Sequence, residues 1–265
     1  MQALAKRFVK ANQICGLAGK QASQFYNNRD ALVVDQKGAQ DWVSEADRDV
    51  ERLIRGQLKM AFPEDGVYGE EQEPTLGTSG FDWVIDPIDG TTNFVNGIPV
   101  WAVVLAGVAD GRTQIGIVHD PNAGETFAAT RGGGATLNGK PLHATSRKPL
   151  ESGTVAVGYS NRVDPAAIVP VIAEIVSEGA MFHRNASGAL SLAYVAAGRF
   201  LGYLEEHMNA WDCLAGQLLI QEAGGVIEDQ DADEMIANGG RVVAGSSEVF
   251  LTLKAIADRN WGKQI

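Results

Sequence analysis

The sequence predicts a mixed α/β (α+β) protein, and three observations carry that reading. Short apolar runs of strand length and longer segments with apolar residues at helical spacing occur in both halves of the chain. Hydrophobic residues make up 45% of the 265 and charged residues 21%, so a sizeable core can form and a disordered chain is excluded. No period of about 20–50 residues repeats, and no low-complexity linker divides the chain. The length suits one domain made of two closely fused halves. The weakest connection, SRKPLESG at 145–152, marks the expected seam between subdomains of about 1–148 and 149–265.

Taken in order, Leu4, Phe8, Cys15, Ala18, Ala22 and Phe25 fall on one face of an amphipathic first helix. Ser44-Glu45-Ala46-Asp47 has capping-box form and opens a second helix, along which Ala46, Val50, Leu53, Ile54 and Leu58 follow at helical spacing. Phe81–Asp86 reads as a short buried strand that Pro87 should end. Trp101–Val108 and Thr113–His119 read as strands joined by a turn at Ala109-Asp110-Gly111. Glu125–Thr130 reads as another, followed by the glycine-rich hairpin RGGGATLNGKPL. In the second half, Thr154–Tyr159 is a strand and Ala166–Ser177 a helix. Ser187–Ala197 and Trp211–Ala223 have helical periodicity, while Val226–Glu228 and Arg241–Ala244 look like strands.

Thirty-three acidic against 22 basic residues give a net charge of −11. That balance argues against a nucleic-acid-binding surface, which needs a basic patch. Only Cys15 and Cys213 are present, without disulfide-framework spacing, which fits a reducing compartment. Lys6, Arg7 and Lys10 interrupt the start of the chain, so it lacks the apolar core of a signal peptide. The longest apolar run, Ile98–Ala109, is far short of the roughly 20 residues that span a bilayer. The expectation is a cytoplasmic protein with neither membrane nor direct nucleic-acid partner.

The chemistry concentrates in acids. In FDWVIDPIDGTTNF, Phe81–Phe94, two aspartates close an apolar run, and Gly90-Thr91-Thr92-Asn93 looks like a helix start, where free N–H groups favour an anion. Metal ions would offset the repulsion of the two carboxylates and also attract an anion. Turn capping alone is the bland alternative for Asp86 and Asp89. Glu70 in Gly69-Glu70-Glu71 equally reads as a solvated charge run, Asp212 as an acid favouring a helix dipole, and Asp47 as a capping acid. Together, however, carboxylates and hydroxyls suit a hard divalent ion, magnesium above all. His119, His143, His183 and His207 show no zinc-ligand spacing.

GEE at 69–71, DPIDGTTNF at 86–94 and WDCLAG at 211–216, in that order, resemble the signature of the inositol monophosphatase family. GIVHDPNAGETFAATRGGGATLNG, Gly116–Gly139, resembles that family's strand, hairpin and Asn-Gly turn, so the likeness covers most of the chain. The resemblance implies a layered α-β-α-β-α sandwich forming a single phosphatase domain. It also implies a homodimer that hydrolyses phosphate monoesters with Mg2+ and is inhibited by lithium. Carried over by position, Glu70, Asp86, Asp89, Asp212 and the carbonyl of Ile88 would be metal ligands. Thr91, Asp47 and Glu70 would act in catalysis, the first two on the attacking water. The N–H groups of Gly90 and Thr91 would hold phosphate, and Lys37 would belong to a loop closing over the site.

The substrate expectation is a small phosphorylated polyol. Glu205 stands seven residues before Asp212, where inositol-specific members have an acceptor for ring hydroxyls; a strand-end charge beside Glu206 and His207 is the alternative. Arg184 and Ala189 fall in a segment resembling the substrate-side loop, although Ser187-Gly188-Ala189 inverts its usual glycine-first order. Asn96 stands where histidine is common. Thr92 and Asn93 favour the inositol branch over relatives acting on nucleotide or histidinol phosphates. An inositol monophosphate is the expected substrate, with other sugar, polyol, histidinol or nucleotide phosphates as alternatives. A different class stays open: partnership with the transcription or ribosome-assembly machinery.

Overall fold

The computed structural model describes residues 2–38, 41–144, 148–160 and 162–262. The elements run α1 (Gln2–Asn27), β1 (Val34–Gly38), β2 (Asp41–Ser44), α2 (Glu45–Ala61), β3 (Gly66–Gly69), β4 (Asp82–Asp89), α3 (Thr91–Val95), β5 (Ala102–Ala109), β6 (Arg112–Asp120), β7 (Glu125–Thr130), β8 (Gly134–Leu137) and β9 (Lys140–Pro141). The second half adds β10 (Thr154–Val157), α4 (Pro165–Ser177), β11 (Met181–His183), α5 (Gly188–Ala196), β12 (Gly202–Met208), α6 (Ala210–Glu222), β13 (Val226–Ile227), α7 (Ala232–Asn238), β14 (Gly240–Gly245) and α8 (Phe250–Trp261). A seven-stranded sheet has the order β3-β4-β5-β6-β7-β8-β9, and a five-stranded sheet the order β11-β10-β12-β14-β13.

Alternation along the strands explains the layers. In β5, Ala102, Val104, Ala106 and Val108 face one core while Val103 and Leu105 face another. In the five-stranded sheet, Ala156, Tyr203, Val242 and Ala244 join the first of these cores, while Val155, Val157, Leu204 and Val243 join a third. Strands apolar on both faces need a cover on each side. Helices α1 and α2 cover the outer face of the seven-stranded sheet, α5 and α6 fill the space between the sheets, and α4 and α8 cover the far side. The result is the expected α-β-α-β-α stack. The 145–152 seam lies partly outside the described residues.

The hairpins follow from turn chemistry. Asp110 and Gly111 (φ 54° and 65°) and Asn138 and Gly139 (φ 49° and 77°) take the left-handed backbone of two-residue hairpin turns. Helix α1 is tied to the seven-stranded sheet by a buried acid. Asp65 accepts two hydrogen bonds from Arg7 (2.8 and 2.6 Å), one from Ser79 Oγ (2.7 Å) and one from Trp83 Nε1 (3.0 Å). Asp65→Ala strands all three donor groups and is expected to cost about 3 kcal/mol, read as a lower urea midpoint at unchanged slope. A loss under about 0.5 kcal/mol would show the cluster to be dispensable.

Candidate active site

The irregular end of β4 corrects one expectation. Pro87 does not end the ladder: Asp86 pairs with Val104, and pairing resumes with Asp89 opposite Ala102. Three steps on β4 match two on β5, so the interval is a β-bulge. Residues three apart in a regular strand face opposite sides; the extra residue brings both carboxylates to one side. Asp86 Oδ1 accepts the Ile88 N–H (2.9 Å), which fixes the turn. Gly90 has φ +94°, and a β-carbon there would meet Val100 O at 3.0 Å, so the position needs glycine.

Asp212 reaches the same place from the first turn of α6, where its carboxylate accepts the Asn209 N–H (3.2 Å). Asp86, Asp89 and Asp212 each offer an oxygen lying within 4.8 Å of the others. Glu70 lies at the wall of the same cavity but outside that trio. Its N–H donates to the Ile85 carbonyl (3.2 Å), and the next residue is anchored by Glu51, fully buried in α2, which accepts the Glu71 N–H (2.8 Å) and the Arg55 Nε–H (2.6 Å). Burial first, then the charges of Glu70 and Asp89, pushes the Asp86 carboxyl well above its ordinary range. Burial and Asp212 push Asp89 up to about 7, and burial raises Asp212. Like charges held this close in an all-oxygen set fit a hard divalent cation, which would reverse their mutual repulsion.

Asp47 lies beside the trio, fully buried, accepting from Ser44 N (2.8 Å) and Ser44 Oγ (2.6 Å) in the expected capping box. Burial pushes it up to about 6. Thr91 Oγ1 lies 3.1 Å from both Asp47 Oδ1 and the Ile88 carbonyl, so its one proton has two acceptors. The side chain of Lys37 falls outside the described residues.

The start of α5 grips Asp89. Ser187 Oγ donates to Asp89 Oδ2, Gly188 N to Oδ1 (3.2 Å) and Ala189 N to Oδ2 (2.9 Å). Ala189 is therefore not on the substrate wall as expected: it is fully buried, and its amide is engaged by Asp89. The supposed inversion at Ser187-Gly188 also resolves differently. Ser187 caps the helix, and it is Ala186 before it that has φ +60°, the backbone a glycine would hold without strain. Asn93 pins this loop, donating to Val100 O and Asn185 O, both at 2.7 Å. Asn96 instead bonds the Thr92 carbonyl of its own short helix, at 2.7 Å.

The aspartate trio, Glu70, Thr91 and Ser187 line one cavity of about 420 Å³ together with Gly90, Thr92, Arg162, Arg184, Tyr203 and Glu205, with Asp47 buried behind Thr91. Glu205 is no strand-end charge: it sits within β12, 7% exposed, and burial pushes it up to about 8 despite the nearby Arg184 and Arg162. Arg184 donates to Tyr159 O (3.2 Å) at the rim.

Residues 3–260 match the Inositol monophosphatase family. The chain belongs to that family. An Inositol-1-monophosphatase of Rhizobium meliloti (strain 1021) is 38% identical over 245 residues, covering 91% of this chain and 92% of its own. Nus factor SuhB of Salmonella typhimurium (strain LT2) is 37% identical over 241 residues, covering 90% of each. Among solved structures, the extragenic suppressor protein suhB of Bartonella henselae superposes with a TM-score of 0.88 at 33% identity, covering 97% and 98% of the two chains. An IMPase of Thermotoga maritima gives 0.84 at 26%, covering 96% and 97%.

As an inositol monophosphatase family member, the chain has a phosphatase framework and an acidic cluster able to bind a metal. Several positioning groups escaped the sequence reading. Glu51 had a signal, since it follows Asp47 by four residues on a helix face otherwise marked as buried by Ala46, Val50 and Ile54. Ser187 had none, because Asp89 is 98 residues away, and Tyr203 had none because β12, which puts it on one face with Glu205, does not read as a strand in the sequence. Among the described residues, no helix is long and apolar enough to cross a membrane.

Proposed function

We propose that this chain is a magnesium-dependent phosphate monoester hydrolase acting on an inositol monophosphate. The observation that carries the reading is the convergence of Asp86, Asp89 and Asp212 in one cavity with Glu70 and Thr91, whose hydroxyl lies 3.1 Å from the buried Asp47 behind it. Glu70, Asp86, Asp89, Asp212 and the Ile88 carbonyl would hold magnesium. Bound there, it would supply the charge that attracts a phosphate to a protein of net charge −11 and lower the pKa of a water. Thr91 Oγ1 takes a proton from the attacking water as it passes its own to Asp47, whose raised pKa of about 6 suits an acceptor near neutrality. The N–H groups of Gly90 and Thr91 face the phosphoryl oxygens, where charge grows as the ester bond breaks. Glu205 accepts hydrogen bonds from ring hydroxyls, with Arg184 at the rim.

The deciding test is phosphate release with magnesium, with and without lithium. The panel is inositol 1-phosphate, fructose 1,6-bisphosphate, histidinol phosphate, a 3′-phosphoadenosine nucleotide and glycerol 2-phosphate. Preference for inositol 1-phosphate supports the reading; preference for another ester keeps the chemistry and replaces the substrate. Lithium inhibition, a homodimer and a cytoplasmic location belong to the same reading, each supported by family membership alone. Glu205→Gln is expected to raise KM for inositol 1-phosphate about tenfold, and to affect an aryl phosphate much less. Equal loss on both esters would place Glu205 in the support of the trio instead.

A second reading rests on relatives named Nus factor SuhB. It makes the chain a partner of the transcription machinery, the alternative left open by the sequence, and it weighs against the expectation of no direct nucleic-acid partner. No release from any ester would bring this reading forward.

A further inference from the structure

A carboxylate as enclosed as Glu205 needs polar partners. Its Oε2 accepts the hydroxyl proton of Tyr203, two residues earlier in β12. Side chains two apart in a strand share a face, so the phenol lies alongside the carboxylate. The Tyr203 ring is itself 2% exposed and belongs to the central core with Ala156 and Met208, so core packing sets the direction of its hydroxyl.

The opposite side of the pair is closed by backbone. Gly158 N donates to Leu204 O (2.8 Å), which holds the segment after β10 against β12. A β-carbon at position 158 would overlap both Glu205 Oε2 and the Tyr203 hydroxyl oxygen. One carboxylate oxygen is therefore seated between Tyr203 and Gly158. The other accepts no hydrogen bond among the described residues, and Glu205 lines the cavity.

We propose that Tyr203 is a positioning residue for substrate selection: with Gly158 it seats Glu205 Oε2, so that Oε1 is aimed to accept hydroxyl groups from a polyol phosphate. The inference rests on the reading of Glu205 given under Proposed function. It makes discrimination between hydroxylated and plain esters depend on a phenol that acts through its neighbour. An unseated carboxylate would swing among rotamers and lose the fixed acceptor on which polyol recognition depends.

The test compares wild type, Tyr203→Phe and Gly158→Ala in steady-state kinetics with magnesium, using inositol 1-phosphate and p-nitrophenyl phosphate, with melting temperatures alongside. Tyr203→Phe keeps the ring and removes only the hydroxyl. Gly158→Ala keeps the hydroxyl and displaces the pair. Both are expected to raise KM for inositol 1-phosphate about tenfold, with kcat within about twofold, and to lower the preference for inositol 1-phosphate over the aryl ester. Equal losses on both esters that follow a lowered melting temperature would show a purely structural role and overturn the proposal. A wild type that prefers inositol 1-phosphate, with Tyr203→Phe matching it, would overturn the role of Tyr203 alone. A wild type with no such preference would overturn the Glu205 reading and this inference together.

Discussion

Asp89→Asn is expected to reduce turnover at least 100-fold while the protein stays folded. The substitution keeps the volume of the side chain and removes one of three charges whose oxygens lie within 4.8 Å of each other. It also replaces one acceptor oxygen with an NH2 group, which would face either Ser187 Oγ and Ala189 N or Gly188 N, all of which donate to Asp89. The trio would thus lose charge and orientation together. Circular dichroism and phosphate release on the same preparation give the measurement. A folded variant with more than a tenth of wild-type activity would remove Asp89 from the proposed ligand set.

Asp86→Asn is expected to act oppositely on metal-free stability, raising the melting temperature at pH 8. Asn can still accept the Ile88 N–H that Asp86 Oδ1 accepts at 2.9 Å, while the repulsion from Glu70, Asp89 and Asp212 falls away. The sign follows from the raised pKa. A carboxyl whose folded pKa exceeds its unfolded value stabilises the fold most below the unfolded value, and that contribution is lost as pH rises through the folded one. Near pH 4 the wild type and the variant should therefore melt together. The gap should open as pH climbs above the unfolded carboxyl range and through the raised folded pKa of Asp86. Saturating magnesium should reverse the order, because only the wild type keeps the full ligand set. Melting curves in chelator from pH 4 to 8 test this; a gap that does not grow with pH would refute the repulsive cluster.

The mixed α/β class was legible in strand-length apolar runs such as AVVLAGVA and in a capped helix start at Ser44, whereas the layered order came from the family resemblance alone. Turn chemistry located both hairpins, since Asp-Gly and Asn-Gly suit left-handed backbone. Among the elements missed, two have sequences that run against their burial or pairing. β12 reads GYLEEHM, with consecutive acids that look exposed, yet Glu205 is enclosed because the phenol of Tyr203 and the cavity receive it. β3 reads GVYG, too short and glycine-rich to register, and is held in place by pairing with β4. At the site, motifs supplied the acids but not their supports. Glu51, Ser187 and Asn93 act through partners 20, 98 and 92 residues away, and such pairings leave no local pattern.

The bulge at Pro87 has a consequence for reading related chains. Along a strand, the face on which a side chain emerges is a matter of parity: even intervals repeat it and odd intervals reverse it. The β4 turn inverts parity once, between Asp86 and Asp89, by spending a residue that has no counterpart on β5. The site is therefore encoded partly in a count. A relative could keep every acidic residue and still direct one carboxylate into the wrong layer through a single deletion there, a loss that percent identity would hardly register.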